Sequence, residues 1–148
     1  MAGSAMSALN TLIELAQNEV ENAAKYLGQT IKAKDDAIEQ LGLLTQYRAD
    51  YETRLQNNAQ KGLSVTQFAN FQGFIAKLDQ AIEGQKKLVI DAEYKVDKAK
   101  KNWQACEKKR LSYQTLINRN IATELKKENK RDQKQTDERA TRTLFYKK

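Results

Sequence analysis

The chain has 148 residues, enough for one ordinary domain, with a formal net charge of +7, 30% charged residues and 40% hydrophobic ones. That balance excludes a thick apolar core. With no run of about 18 apolar residues and no basic segment leading into an apolar one, neither a membrane span nor a signal peptide is expected, and a cytoplasmic location is. Average usage would supply roughly seven prolines; there are none, so long uninterrupted helices are expected rather than rigid turns.

In chain order, the small-residue opening MAGSAMS is expected to fray. From Leu9, steps of alternately four and three residues reach Leu55 through fourteen positions, eleven of them apolar and the exceptions Thr30, Lys34 and Arg48. From Phe68, steps of three and four reach Ile117 through fifteen positions, thirteen of them apolar, with Gln85 and Arg110 the exceptions. A 40% apolar background would supply about six in either set, so a 3.5-residue period is present and disorder is the poorer account. Sustained over about seven heptads, this is a coiled-coil seam.

Between the two runs, Asn57, Asn58 and Gly62 can each end a helix in the left-handed conformation. Ser64 followed by Gln67 is a capping box, and Leu63 with Phe68 stand at the positions of a hydrophobic staple. A short connection favours antiparallel neighbours. The expected fold is all-α: two long helices in an antiparallel coiled-coil hairpin, with helix 2 extending beyond helix 1. The single domain 1–148 then divides into helix 1 at about 7–56, a turn at 57–63, helix 2 at about 64–135 and a basic C-terminal tail at 136–148. Helix 1, roughly 75 Å long at 1.5 Å per residue, matches helix 2 only to about residue 113, so the rest of helix 2 is expected to project unpaired.

Catalysis is not expected. The chain has no histidine, no glycine-rich phosphate loop and no Cys/His/Asp cluster at ligand spacing, so no catalytic, cofactor-binding or metal-ligating residue is assigned and no cofactor is implied. Cys106 and Trp103 both fall on the seam. They read as packing residues, the indole expected opposite the small side chains Ala16, Val20 and Ala23.

Phe68, Phe71, Ile75, Leu78 and Ile82 are expected in the core. Phe74, Ala81 and Leu88 recur every seven residues one position before the seam, on a flank that a two-helix coil covers only in part, near Tyr47 and Tyr51. An exposed aromatic patch of that kind points to a docking partner. Charge is concentrated elsewhere: residues 98–148 hold 16 Lys+Arg against 6 Asp+Glu. The reading preferred for this segment is a solvated helix or one gripped by an acidic partner. Nucleic acid is not expected as a partner, because a zipper-type reader needs a parallel dimer and no aromatics interleave the basic residues.

LLTQYRADYETRLQ, a short polar turn, ANFQGFIAKLDQAIEGQ, a tryptophan on helix 2 and a closing ENKRDQKQTDERA occur in an order and spacing that resemble the FliJ family of bacterial flagellar export proteins over nearly the whole chain. The resemblance implies a non-catalytic component of the flagellar type III export apparatus, similar in shape to the gamma stalk of rotary F-type ATPases. Its implied partners are the hexameric flagellar export ATPase, whose assembly and activity it promotes, the export gate membrane protein, and export chaperones. Peripheral association with the inner-membrane export apparatus follows, without direct membrane insertion. The gate-contacting positions of the family match Phe74, Leu78 and Ala81, with Gln85 next on that face, where some relatives carry a different side chain. The ATPase contact is assigned only to the basic segment, through Lys126, Lys127, Lys130, Arg131, Lys134, Arg139 and Arg142. The alternative is an escort chaperone of secretion substrates without ATPase coupling.

Overall fold

The structure is a computed structural model that describes residues 2–146. Two α-helices, α1 (Ala2–Lys61) and α2 (Val65–Tyr146), run antiparallel as a coiled-coil hairpin, and the described residues contain no strand. Their contacts divide the chain into two compact units, a turn-containing unit Asn22–Trp103 and a terminal unit Met1–Glu21 with Gln104–Lys148.

In the turn-containing unit every expected seam position of α1 from Ala23 to Leu55, and of α2 from Phe71 to Trp103, is buried or half-buried, while nearly every residue between them is exposed. Ala23, Leu78, Ile82, Val89 and Ala99 form the most buried apolar stripe. Two polar seam residues are hydrogen-bonded, one within its helix and one across the hairpin: the Thr30 hydroxyl donates to the Leu27 carbonyl at 2.7 Å, and Gln85 Nε2 donates to the Ala37 carbonyl at 2.9 Å. In the terminal unit the seam runs through Leu9, Ile13, Ala16 and Val20 on α1 and Cys106, Arg110, Tyr113 and Ile117 on α2. Trp103 and Cys106 are half-buried at seam positions, as packing roles require.

Several boundaries differ from those expected. α1 begins at Ala2 instead of near residue 7, because Ala2, Ala5, Met6 and Ala8 favour a helix more than the two serines and Gly3 oppose it. It also continues through Asn57 and Asn58, which tolerate left-handed backbone angles without requiring them; Asn58 is instead half-buried at the next seam position. Only Gly62 turns left-handed, with φ at 92°, and its N–H donates to the Ala59 carbonyl at 3.3 Å. The connection is therefore residues 62–64 rather than 57–63. The capping box forms as expected: Gln67 N–H donates to Ser64 Oγ and Ser64 N–H to Gln67 Oε1, both at 3.1 Å.

Phe68 is a correction. Its ring is 42% exposed rather than in the core, because the α1 seam runs out of apolar residues at Leu55 and continues with Asn58. The C-terminal stretch is a second. Residues 136–146 are helical, not a tail, since no glycine or proline after Gly84 supplies a stop signal; Lys147 and Lys148 lie outside the described residues.

Candidate functional site

Phe74 stands on the flank of α2 that α1 covers only in part, and its ring is 44% exposed. Its position is held from α1: Tyr51 lies with its ring centroid 4.4 Å from that of Phe74 at a tilt of 37°, and 5.1 Å from that of Phe71 at 51°. Tilted aromatic contacts at such distances contribute about 0.5–1.5 kcal/mol each beyond area burial. Tyr47, Tyr51, Phe74 and Leu78 together line a trough of about 360 Å³, with Asp50 and Arg54 at its edge.

The four residues matched to the gate-contacting positions of the family do not share one environment. Phe74 and Ala81 are exposed, Leu78 is only 9% exposed on the seam, and Gln85 is half-buried with its amide committed to the Ala37 carbonyl. Leu78 and Gln85 therefore hold the coil together as well as bordering its flank. Leu43 and Leu88 extend the exposed apolar surface.

Three contributors were not legible at the level of the α2 pattern. Asp50 and Arg54 share the trough, and reading α1 by the same seven-residue rule, which links Tyr47 to Arg54, would have found the second of them. The third is Arg48, an exception on the α1 seam. Its Nε donates to Asp79 Oδ1 of α2 and a terminal nitrogen donates to Glu52 Oε2 at 3.0 Å. The hydrogen bond to Asp79, followed by that carboxylate's charge, holds the guanidinium pKa above its ordinary value. This pair ties α1 to α2 beside the trough.

Lys126, Lys127, Lys130, Arg131, Lys134, Arg139 and Arg142 lie on the part of α2 that follows Ile117, where Glu124 is half-buried and every other described residue is exposed. Lys127 contacts Glu124 at 3.8 Å. Among the described residues the other six have no carboxylate within ion-pair distance, and three of the seven, Lys126, Lys127 and Lys130, line one open hollow of about 440 Å³. Arg131, Lys134, Arg139 and Arg142 lie outside that hollow on the charged surface. Beyond them Leu144, Phe145 and Tyr146 are almost fully exposed.

Among the described residues no group of His, Cys, Asp or Glu side chains is arranged to hold a metal ion, and no helix is long and apolar enough to cross a membrane. Fold and surface together define an all-helical hairpin protein of the coiled-coil class, whose exposed chemistry is an aromatic trough and a cationic length of helix. Residues 6–148 match the family model described as Flagellar FliJ protein. The chain is 36% identical over 140 residues to the flagellar FliJ protein of Salmonella typhi and 35% identical over 140 residues to that of Escherichia coli strain K12, in each case over 95% of both chains. It belongs to the FliJ family and is a component of flagellar protein export.

Proposed function

We propose that the chain is a non-catalytic coupling protein of the flagellar export apparatus, which binds the hexameric export ATPase, promotes its assembly and activity, and links it to the transmembrane export gate. The observation that carries this reading is the aromatic trough, in which Phe74 is held partly exposed against Tyr51 of the other helix. A soluble chain rarely leaves such a surface without a partner. The gate docks there, with Phe74 and Ala81 as direct contacts and Leu78 and Gln85 as the residues that keep the flank in shape. The basic length of α2, through Lys126, Lys127, Lys130, Arg131, Lys134, Arg139 and Arg142, meets the ATPase, where opposite charge speeds encounter and sets orientation. Export chaperones bind the same protein after releasing cargo, and the chain works in the cytoplasm at the inner-membrane apparatus without inserting into the bilayer.

The test is titration of the purified protein into its cognate export ATPase, with hydrolysis rate and hexamer yield as readouts. Both are expected to rise. If neither changes at saturating protein while unladen export chaperones are still captured, the protein is an escort and not a coupling component. For the trough, Phe74→Ala is expected to weaken capture of the gate's cytoplasmic domain while leaving helicity close to that of the parent. Loss of helicity with undiminished capture by the folded fraction would make the residue structural.

A further inference from the structure

A second trough lies within the turn-containing unit, about twenty residues along α2 from Phe74 and so roughly 30 Å away on a 1.5 Å rise. It has a volume of about 600 Å³, larger than the trough at Phe74. Tyr26 of α1 and Tyr94 of α2 wall it, Ala99 lies at its floor, and Asp91, Lys95 and Lys98 stand around it. Ala99 is 3% exposed, whereas Tyr26 and Tyr94 are 53% and 68% exposed.

The trough also carries open positive charge, as Lys87, Lys100 and Lys108 do elsewhere on α2 among the described residues. Lys86, Lys101 and Lys109 each reach a carboxylate, at 3.1, 3.1 and 3.4 Å. Among the described residues neither Lys95 nor Lys98 has a carboxylate within 4.0 Å, although Asp91 precedes Lys95 by the four residues that suit an intrahelical pair. Two lysines three residues apart thus share one face of α2, beside two tyrosine rings and above a small apolar floor.

We propose that this trough docks an acidic segment of a partner protein: an apolar side chain sits on Ala99 between Tyr26 and Tyr94, and flanking carboxylates pair with Lys95 and Lys98. Carboxylates fit the open ammonium groups, and the apolar side chain removes ring surface from water. A second copy of the chain is disfavoured, because the same face turned on itself brings together four lysines and only two aspartates, from Lys95, Lys98 and Asp91 of each copy. A nucleic-acid strand is disfavoured as well, since only two lysines would neutralise its regularly spaced phosphates.

The experiment is fluorescence anisotropy with the full chain and a fluorescein-labelled ten-residue peptide of glutamate and leucine. Saturable binding is expected. It should weaken about tenfold or more when Lys95→Glu and Lys98→Glu are combined, since tenfold corresponds to one well-formed charged contact. Tyr26→Ala should weaken it several-fold, Asp91→Asn, which removes the competing carboxylate, should tighten it, and Phe74→Ala should leave it unchanged. Circular dichroism checks that each variant keeps its helicity; the two lysines are exposed, so that pair of substitutions keeps the test open even if Tyr26→Ala unfolds. The proposal is overturned by undiminished binding in the double lysine variant, by equal binding of a lysine–leucine peptide, by loss of binding in Phe74→Ala, or by a labelled single-stranded oligonucleotide that binds more tightly through the same lysines.

Discussion

The turn-containing unit and the terminal unit each follow heptad spacing but are held together internally by different means. In the first, large apolar residues such as Leu78, Ile82 and Val89 are supplemented by cross-helix ties: Arg48 to Asp79, Gln85 to the Ala37 carbonyl, and Tyr51 against Phe71 and Phe74. In the terminal unit the best-buried apolar residues are Ala16 and Ile117, and among the described residues one ion pair, Lys109 to Glu19 at 3.4 Å, crosses between its helices. After Ile117 helix α2 goes on to Tyr146 with no buried residue. Helix–helix packing fixes side-chain positions in the first unit, while the end of the second rests on local helix propensity. The first can therefore present aromatic rings at defined positions, and the second presents charge on a length of helix free to adapt to what it meets.

The sharpest way to break this contrast is hydrogen exchange. Amides of residues 126–146 are expected to exchange about a hundredfold or more faster than those of 75–99, because a helix without tertiary packing opens easily. Equal protection in the isolated chain would mean that the basic helix is buried against something, such as a second copy. Next in size is Leu78→Ala, which removes the branched side chain from a seam position that is 9% exposed. A loss of about 2–3 kcal/mol is expected in urea denaturation followed by circular dichroism. A loss below about 0.5 kcal/mol would show that the seam is not the source of stability.

Phe74→Ala should cost about 1 kcal/mol, the contribution of one aromatic pair, because much of the ring faces water already. A pair of glycine substitutions separates backbone from packing at similar magnitude. At Gly73 an added Cβ would meet nothing within 4 Å, so Gly73→Ala should stabilise by about 1 kcal/mol through helix propensity alone. Gly62→Ala should destabilise by about 1 kcal/mol although it too meets no atom, since its φ of 92° is strained for an L side chain. If Gly62→Ala stabilises as Gly73→Ala does, the turn does not require its left-handed residue.

Legibility in the sequence followed the same division. Seam positions could be read one by one, because a narrow buried stripe in a two-helix coil forces strict spacing and leaves little else to bury. Phe68 departed from the rule because spacing records which face a residue is on, not what α1 supplies against it, and the apolar run of the α1 seam ends at Leu55. Helix ends were less legible. Asn57 and Asn58 only permit a stop, whereas the reciprocal hydrogen bonds of Ser64 and Gln67 enforce a start. The flank at Phe74 was visible as a heptad of its own, but the partner ring of Tyr51, the edge charges Asp50 and Arg54 and the Arg48–Asp79 tie depend on side-chain reach across the hairpin, which no single helix pattern records. The basic residues were visible as a charge excess, and their scatter around one unpaired helix explains why the pattern singled out none of them.

The smallest expected effect belongs to that tie between Arg48 and Asp79. Their side chains are 35% and 50% exposed, so water and salt screen the pair and its removal by Arg48→Gln should move the unfolding midpoint less than any substitution above. The pKa of Arg48 is raised, so its contribution is present in full below the guanidinium's ordinary value and is lost only as pH rises through the higher folded one. Between about pH 6 and 9 Arg48 stays charged in both states, and the difference between parent and variant should not change with pH as far as this group is concerned. Salt should act where pH does not: at about 1 M the screening length falls to roughly 3 Å and the difference should shrink. A difference that survives high salt undiminished would identify the Arg48 methylene stem, packed at a seam position, as the part that holds α1 to α2, and the charge as incidental.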